Sequence, residues 1–314
     1  MQNQPVTIIT PVYNCADYIV ETVESVLAQG HKALEYIVID DGSSDETLSL
    51  LKPFADRLTL ISHTNIGEQA TVNKGIAMAA NDIVAIVNAD DPILPGLIEE
   101  SLSRLTANAD LVGVYPDWLK TNAYGEVIEK NVTLDYDYGL MLDQCYCIPG
   151  PGAFFRKSAL HGEKPRNLSY RFSGDFDMWL RLGLVGEMER IPKFLATWRW
   201  HEGGASQAQR SVEMAENKVD VMQALFDRVD FPNTLAAHRA QAMSSSYYAA
   251  GLLAIHNREV SGRAYMLQSF LHKPIWPNGF IASQRRSWWH IGFILTQPIS
   301  GIVYQLLGGR KVIG

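Results

Sequence analysis

Cysteine is scarce in this chain, and the glycine-rich signatures of phosphate-binding loops are missing. Among 314 residues the only cysteines are Cys15, Cys145 and Cys147. So small and odd a number argues against a disulfide framework and suits a reducing cytoplasm. Cys145 and Cys147 sit two apart with no second pair, which leaves no zinc-ligand set. No G-x-G-x-x-G follows the first predicted strand and no G-x-x-x-x-G-K-[ST] occurs anywhere, so a Rossmann dinucleotide site and a P-loop are both unsupported. Excess positive charge is absent too. The formal net charge is −7 and the pI about 5.6, the wrong sign for a general nucleic-acid binder. The opening MQNQPVTIIT lacks the basic stretch and apolar segment of a signal peptide, so none is expected.

What is present is a 47% hydrophobic chain long enough for one large domain or two. Apolar stretches at residues 6–12, 34–40, 58–62, 82–88 and 111–117 read as strands. Helical spacing separates them. Ile19, Val20, Val23, Val26 and Leu27 mark one helix, closed by Gly30, and further helices are expected over 45–52, over 68–80 and with Pro95 in the first turn of another. Ser43 and Glu46 have the spacing of a capping box. The strands are apolar throughout rather than alternating, which predicts an α/β fold with a mostly parallel sheet flanked by helices.

Polar clusters follow the first four strands: Tyr13 and Asn14; Asp40 and Asp41; Asn65 and Gly67; Asn88, Asp90 and Asp91. Equivalent ends of parallel strands share one edge, so these clusters converge on one crevice, where open α/β sheets bind ligands. Solvated strand ends explain any one cluster; four together point to a site. Acids cannot hold a diphosphate directly, but they can hold a divalent cation that does. Farther on, Asp175 and Asp177 open a helix, and residues two apart on a helix face different ways.

The segments TPVYN, VIDDGSSDET, NIGEQATVNKG, VNADD, SGDFDMWLRL and WRWHEGGAS, in this order over residues 5–206, resemble the family 2 inverting glycosyltransferases of the GT-A fold. The resemblance implies transfer of a sugar from a nucleotide-sugar, usually a UDP-sugar, with Mg²⁺ or Mn²⁺. Pro11, Val12 and Tyr13 would line the nucleotide pocket, Asp41 with Asp40 would read the base, and Asn65, Gly67 and Asn73 would form the wall beside the diphosphate. Asn88 and Ala89 would border the nucleotide, with Asp90 and His201 at the metal and Ser206 adding a hydroxyl. Asp175 would be the base that deprotonates the acceptor. Asp177, Gly152 and Arg156 would lie on the acceptor side. Two departures stand out: Asn88 where the family usually has Asp, and Gly174 where many members carry Glu just before the base. Processive members carry Gln-x-x-Arg-Trp; here Arg199-Trp200 follows Ala196, which favours one-sugar transfer. The competing reading is a non-catalytic nucleotide-sugar binder or scaffold.

These features divide the chain into a catalytic domain over 1–206, a helical region over 207–284 and a tail over 285–314. Met214, Val219, Met222 and Leu225, then Tyr247, Tyr248, Leu252 and Leu253, then Tyr265, Leu267 and Phe270 mark three helices. Residues 287–309 contain no Asp, Glu, Lys or Arg; Trp288 and Trp289 stand at one end, with Arg285, Arg286, Arg310 and Lys311 flanking. That pattern suits peripheral docking on the inner face of the cell membrane, where a lipid-linked glycan acceptor would lie. The alternatives, which it suits less well, are a core or subunit contact and a true span.

Overall fold

The computed structural model describes residues 3–204, 212–257, 259 and 261–273. The chain divides into two compact units, residues 1–138 with 147–208, and residues 139–146 with 209–314.

The first unit is an α/β layer structure. Its strands are β1 (Val6–Val12), β2 (Leu34–Asp40), β3 (Thr59–Ser62), β4 (Ile83–Ile86), β5 (Gly113–Thr121), β6 (Val127–Asn131), β7 (Phe154–Arg156) and β8 (Met188–Arg199). Its helices are α1 (Ile19–Leu27), α2 (Thr47–Leu51), α3 (Glu68–Met78), α4 (Leu97–Ala107) and α6 (Gly174–Gly183), with α5 (Tyr138–Gln144) at the unit boundary. The sheet order is β3-β2-β1-β4-β7-β5-β6, with β8 joining β5. The first four strands are parallel, β7 runs against β4 and β5, β6 runs against β5, and β8 runs parallel to β5. Every residue of β1 is buried, because helices cover both faces of the sheet there.

Three sequence expectations change. The fifth strand runs to Thr121 and is separated from β4 by the short antiparallel β7. Ser43 and Glu46 form no capping box: α2 begins at Thr47, whose amide donates to Asp45 Oδ1 at 3.0 Å, while Ser43 Oγ accepts from the Asn14 amide at 2.9 Å. Pro95 lies outside the first turn of α4, since Gly96, with φ +90°, occupies the N-cap.

The second unit contains α7 (Val212–Phe226), α8 (Arg239–His256) and α9 (Gly262–His272), the helices that the periodicity marked. Buried serines on α8 are satisfied locally: Ser245 Oγ donates to the Asp143 carbonyl at 2.6 Å, and Ser244 Oγ meets Ser269 Oγ at 3.2 Å. The tail over 285–314 and Ser206 lie outside the described residues. No helix among the described residues is long and apolar enough to cross a membrane.

Candidate active site

The pairing register explains why β2 ends in two carboxylates. Val12 lies beside Asp40, and Asp40 beside Ser62. Asp40 is 1% exposed; its carboxylate accepts from the Ser43 amide at 3.1 Å and Ser62 Oγ at 2.7 Å. Asp41 is 3% exposed and accepts from the amides of Ile66 at 2.7 Å and Gly67 at 3.0 Å, with His63 Nδ1 at 3.5 Å. Asp40 therefore ties the end of β2 to its own turn and to the end of β3, and Asp41 ties it to the loop after β3. Buried carboxylates are tolerated because backbone and hydroxyl donors satisfy them. Tyr13 is half exposed at the crevice, whereas Pro11 and Val12 are buried within β1. Asn65 is exposed in the same loop, and Gly67, with φ +89°, caps α3.

The turn after β4 is the center of the polar network. Asn88 Nδ2 donates to Asp91 Oδ2 at 2.9 Å, and the Arg199 amide donates to Asp91 Oδ1 at 2.7 Å. Burial, with the Asp90 charge beside it, pushes the Asp91 carboxyl up. Asn88 thus serves as a donor to a buried acid, a task that an aspartate could not perform. Ala89 is buried. Asp90 faces the other way, and its Oδ2 lies 3.0 Å from His201 Nε2. The His201 ring packs on Tyr18, with centroids 4.5 Å apart. Arg199 holds this arrangement by donating from Nε to the Asp90 carbonyl at 2.9 Å and from Nη1 to the Ala123 carbonyl at 3.1 Å, and by pairing with Glu21 at 2.5 Å. Cys15, in the neighbouring turn, stays a thiol: burial pushes it up to about 12, with Asp90, Asp45 and Asp91 adding like charge.

Among the described residues no group of three or more acidic, histidine or cysteine side chains could hold a metal. Asp90 and His201 nevertheless fit a two-ligand site of the kind that shares a cation with substrate phosphates. Their nitrogen and oxygen stand 3.0 Å apart, an ordinary hydrogen-bond distance, so a cation would take the place of that contact.

At the start of α6, Asp175 is exposed and Asp177 is 8% exposed. Asp175 Oδ1 accepts from the Phe176 amide at 2.8 Å, whereas Asp177 Oδ2 pairs with Arg181 at 2.7 Å. The two acids diverge as their spacing requires. Trp179, Leu180 and Leu182 are core. Glu68, which the sequence reading passed over, stands between the clusters. Its side chain still meets solvent, yet protein crowds the rest of it. That desolvation pushes its carboxyl up, Arg166 pulls it back, and Asp175 and then Asp90 push it up further. Its place as the first residue of α3, at the edge where the polar clusters gather, was the available signal.

Three expected site residues sit elsewhere or are otherwise engaged. Arg156 is removed from the crevice because β7 is antiparallel: Arg156 pairs with Ile83, at the opposite end of β4 from Asn88. Its guanidinium caps carbonyls instead, those of Leu111 at 2.9 Å and Leu105 at 2.6 Å. Gly152 is a packing position, where an added Cβ would lie 2.7 Å from Ala196 Cβ. Asn73 exchanges two hydrogen bonds of 2.8 Å with the Arg166 backbone and lines a separate groove of about 860 Å³ between α3 and residues 157–168.

Comparison with known proteins agrees with this geometry. Residues 7–161 match the family described as Glycosyl transferase family 2. A chondroitin synthase of Escherichia coli is 29% identical over 192 residues, 60% of this chain and 28% of that protein. An uncharacterized glycosyltransferase of Rickettsia typhi is 27% identical over 243 residues, 70% of each chain. The chain thus spans less than a third of the first relative and about two thirds of the second. The fold resembles that of S. aureus TarS residues 1–349 solved with UDP-GlcNAc, with a TM-score of 0.66 at 16% identity over 85% of this chain and 79% of the other. With its mostly parallel sheet and its acid-lined crevice, the chain carries a glycosyl transferase family 2 domain, matched over residues 7–161.

Proposed function

We propose that this protein transfers a single sugar from a UDP-sugar to a hydroxyl of a glycan acceptor, with inversion and with a divalent cation. The observation that carries this reading is the polar edge built by parallel pairing, where Asp40 and Asp41 end β2 and the turn after β4 sets Asp90 Oδ2 3.0 Å from His201 Nε2. Asp175, exposed at the start of α6, is the base that this reading adds. The chondroitin synthase relative and the UDP-GlcNAc complex of TarS support a UDP-sugar donor.

Asp175, exposed and without a cationic hydrogen-bond partner among the described residues, accepts the proton of the acceptor hydroxyl. The acceptor oxygen bonds to the anomeric carbon, and the bond from that carbon to phosphate oxygen breaks on the opposite face. Its electron pair leaves with the diphosphate. A divalent cation held by Asp90 and His201 would neutralise the charge that develops there. Asp41 reads the base edge by sharing its carboxylate with the Ile66 and Gly67 amides, which leaves acceptor capacity unused. Tyr13 borders the nucleotide.

The acceptor we infer is a lipid-linked precursor of a cell-surface glycan, since residues 287–309 combine an uncharged sequence with flanking cations. Flotation with anionic liposomes, with and without residues 285–314, tests that part: if neither form floats, the membrane reading fails. The donor is tested by thermal shift and UDP or GDP release with UDP-glucose, UDP-N-acetylglucosamine, UDP-glucuronic acid and GDP-mannose, each with Mn²⁺ or EDTA. A UDP-sugar is expected to stabilise the protein and to turn over. A panel without stabilisation or turnover would overturn the reading.

A further inference from the structure

The first turn of α6 carries the proposed base but has no side-chain cap of its own. Ser173 occupies its N-cap without a capping hydrogen bond, and Ser173 Oγ is buried with no partner among the described residues. Among the described residues the carboxylate of Asp175 accepts a hydrogen bond only from its neighbour Phe176. Anchoring comes instead from α3. A Cβ on Gly174 would lie 2.5 Å from Gln69 Oε1 and 3.3 Å from Arg166 Cδ, so these two side chains fill the space that any larger residue would need. Gln69 Nε2 donates to the Arg171 carbonyl at 3.0 Å, and Arg166 Nη1 donates to Gln69 Oε1 at 3.2 Å. Asn73 holds the Arg166 backbone from both sides. Arg166 is 7% exposed, and its Nε has no partner among the described residues. A buried guanidinium so incompletely satisfied is costly, and its position against the backbone of Gly174 gives that cost a purpose.

We propose that Arg166 is a positioning residue for Asp175: seated on the bare Cα of Gly174 and hydrogen-bonded to Gln69, it fixes the first turn of α6 and the direction in which Asp175 meets an acceptor hydroxyl. This rests on the reading of Asp175 as the base. The absence of a side chain at 174 is then a requirement of the clasp.

The test uses the full chain with Mn²⁺ and the UDP-sugar that turns over in the panel above. It measures kcat by UDP release and donor Kd by calorimetry. Arg166→Met is expected to lower kcat about tenfold while donor Kd stays within about twofold, and Arg166→Lys to recover part of the loss. Gln69→Ala and Gly174→Ala should each lower kcat. Their combination should be no worse than the worse single change, because a Cβ at 174 acts by displacing Gln69. Unchanged kcat in Arg166→Met, a matching loss of donor binding, or additive losses in the double variant would overturn the proposal. If Arg166→Met fails to fold, the Gln69 and Gly174 variants decide it. Asp175→Asn separates the two readings. If it turns over normally, the base assignment falls and this inference with it; if it is inactive while Arg166→Met is unimpaired, this inference alone falls.

Discussion

Asp175 and Asp177 show how much depends on one residue's neighbours. Both open the same helix, but Asp177 is buried against Arg181 and Asp175 faces solvent. An amide at 175 keeps the shape and loses the capacity to take a proton. Asp175→Asn is therefore expected to cut turnover by about a hundredfold to ten-thousandfold, with donor affinity by calorimetry nearly unchanged; turnover close to that of the parent would move the base elsewhere. Asp177→Asn should act on stability, by about 1–3 kcal/mol, because it leaves the largely buried Arg181 without its nearest carboxylate. Urea denaturation reads this directly. The divergence of the two acids was legible from their spacing, and the i, i+4 pairing of Asp177 with Arg181 was legible too. The clasp on Gly174 was not, since Gln69 and Arg166 are about a hundred residues apart in the chain.

Among the strands, β1, β2 and β4 read clearly in the sequence because parallel pairing buries most of their residues. β3, a partly exposed edge, reads as a short apolar run as well. Of the later strands only β5 is read, over 111–117 rather than its full Gly113–Thr121, and the others escape for identifiable reasons. β7 has three residues, too few for any period, and β6 is an exposed edge with the sequence VIEKN. β5 contains Pro116, which cannot donate to a ladder, and its pairing with β8 shifts register there. That pairing is pinned instead by side chains. Asp117 on β5 is 3% exposed and accepts from Arg190 of β8 at 2.7 Å and from Thr133 Oγ1 at 2.8 Å. Burial alone would raise the Asp117 carboxyl, but the Arg190 and Thr133 hydrogen bonds outweigh it and hold the group below its ordinary value of 3.8. The native state then binds fewer protons than the unfolded chain just below that value. The stability from this pair is present in full above about pH 4 and is lost as pH falls through the lower native value. Arg190→Met should cost about 3–5 kcal/mol at neutral pH, because it strands a buried carboxylate. In thermal melts from pH 7 to pH 3 the variant should also lose less stability on acidification than the parent. Parallel pH profiles would contradict this account of β5 and β8.

Charge across the chain sets the last expectation. The protein carries a formal −7, and Asp40, Asp41, Asp90 and Asp91 end or follow neighbouring parallel strands at one sheet edge. A nucleoside diphosphate is itself polyanionic, so an unassisted approach is unfavourable. Among the described residues, Arg199 is committed to Glu21 and two carbonyls, and the buried Arg166 gives one guanidinium nitrogen to Gln69 and packs on Gly174. No phosphate-binding loop compensates, as the sequence made plain. What remains is a divalent cation between Asp90 and His201, completed by the phosphates that it binds. UDP is therefore expected to bind at least about tenfold more tightly with Mn²⁺ than in EDTA, a difference of about 1.4 kcal/mol or more by calorimetry. Asp90→Ala and His201→Ala should each shrink that difference, and should weaken binding of Mn²⁺ alone as followed by electron paramagnetic resonance. Because Asp91 is held by Asn88 and the Arg199 amide, Asp91→Asn should destabilise the turn without abolishing the Mn²⁺ effect. Equal UDP affinity with Mn²⁺ and in EDTA would sink the metal-bridged diphosphate. The crevice would then have to hold a polyanion through backbone amides alone, against the charge of its own acids.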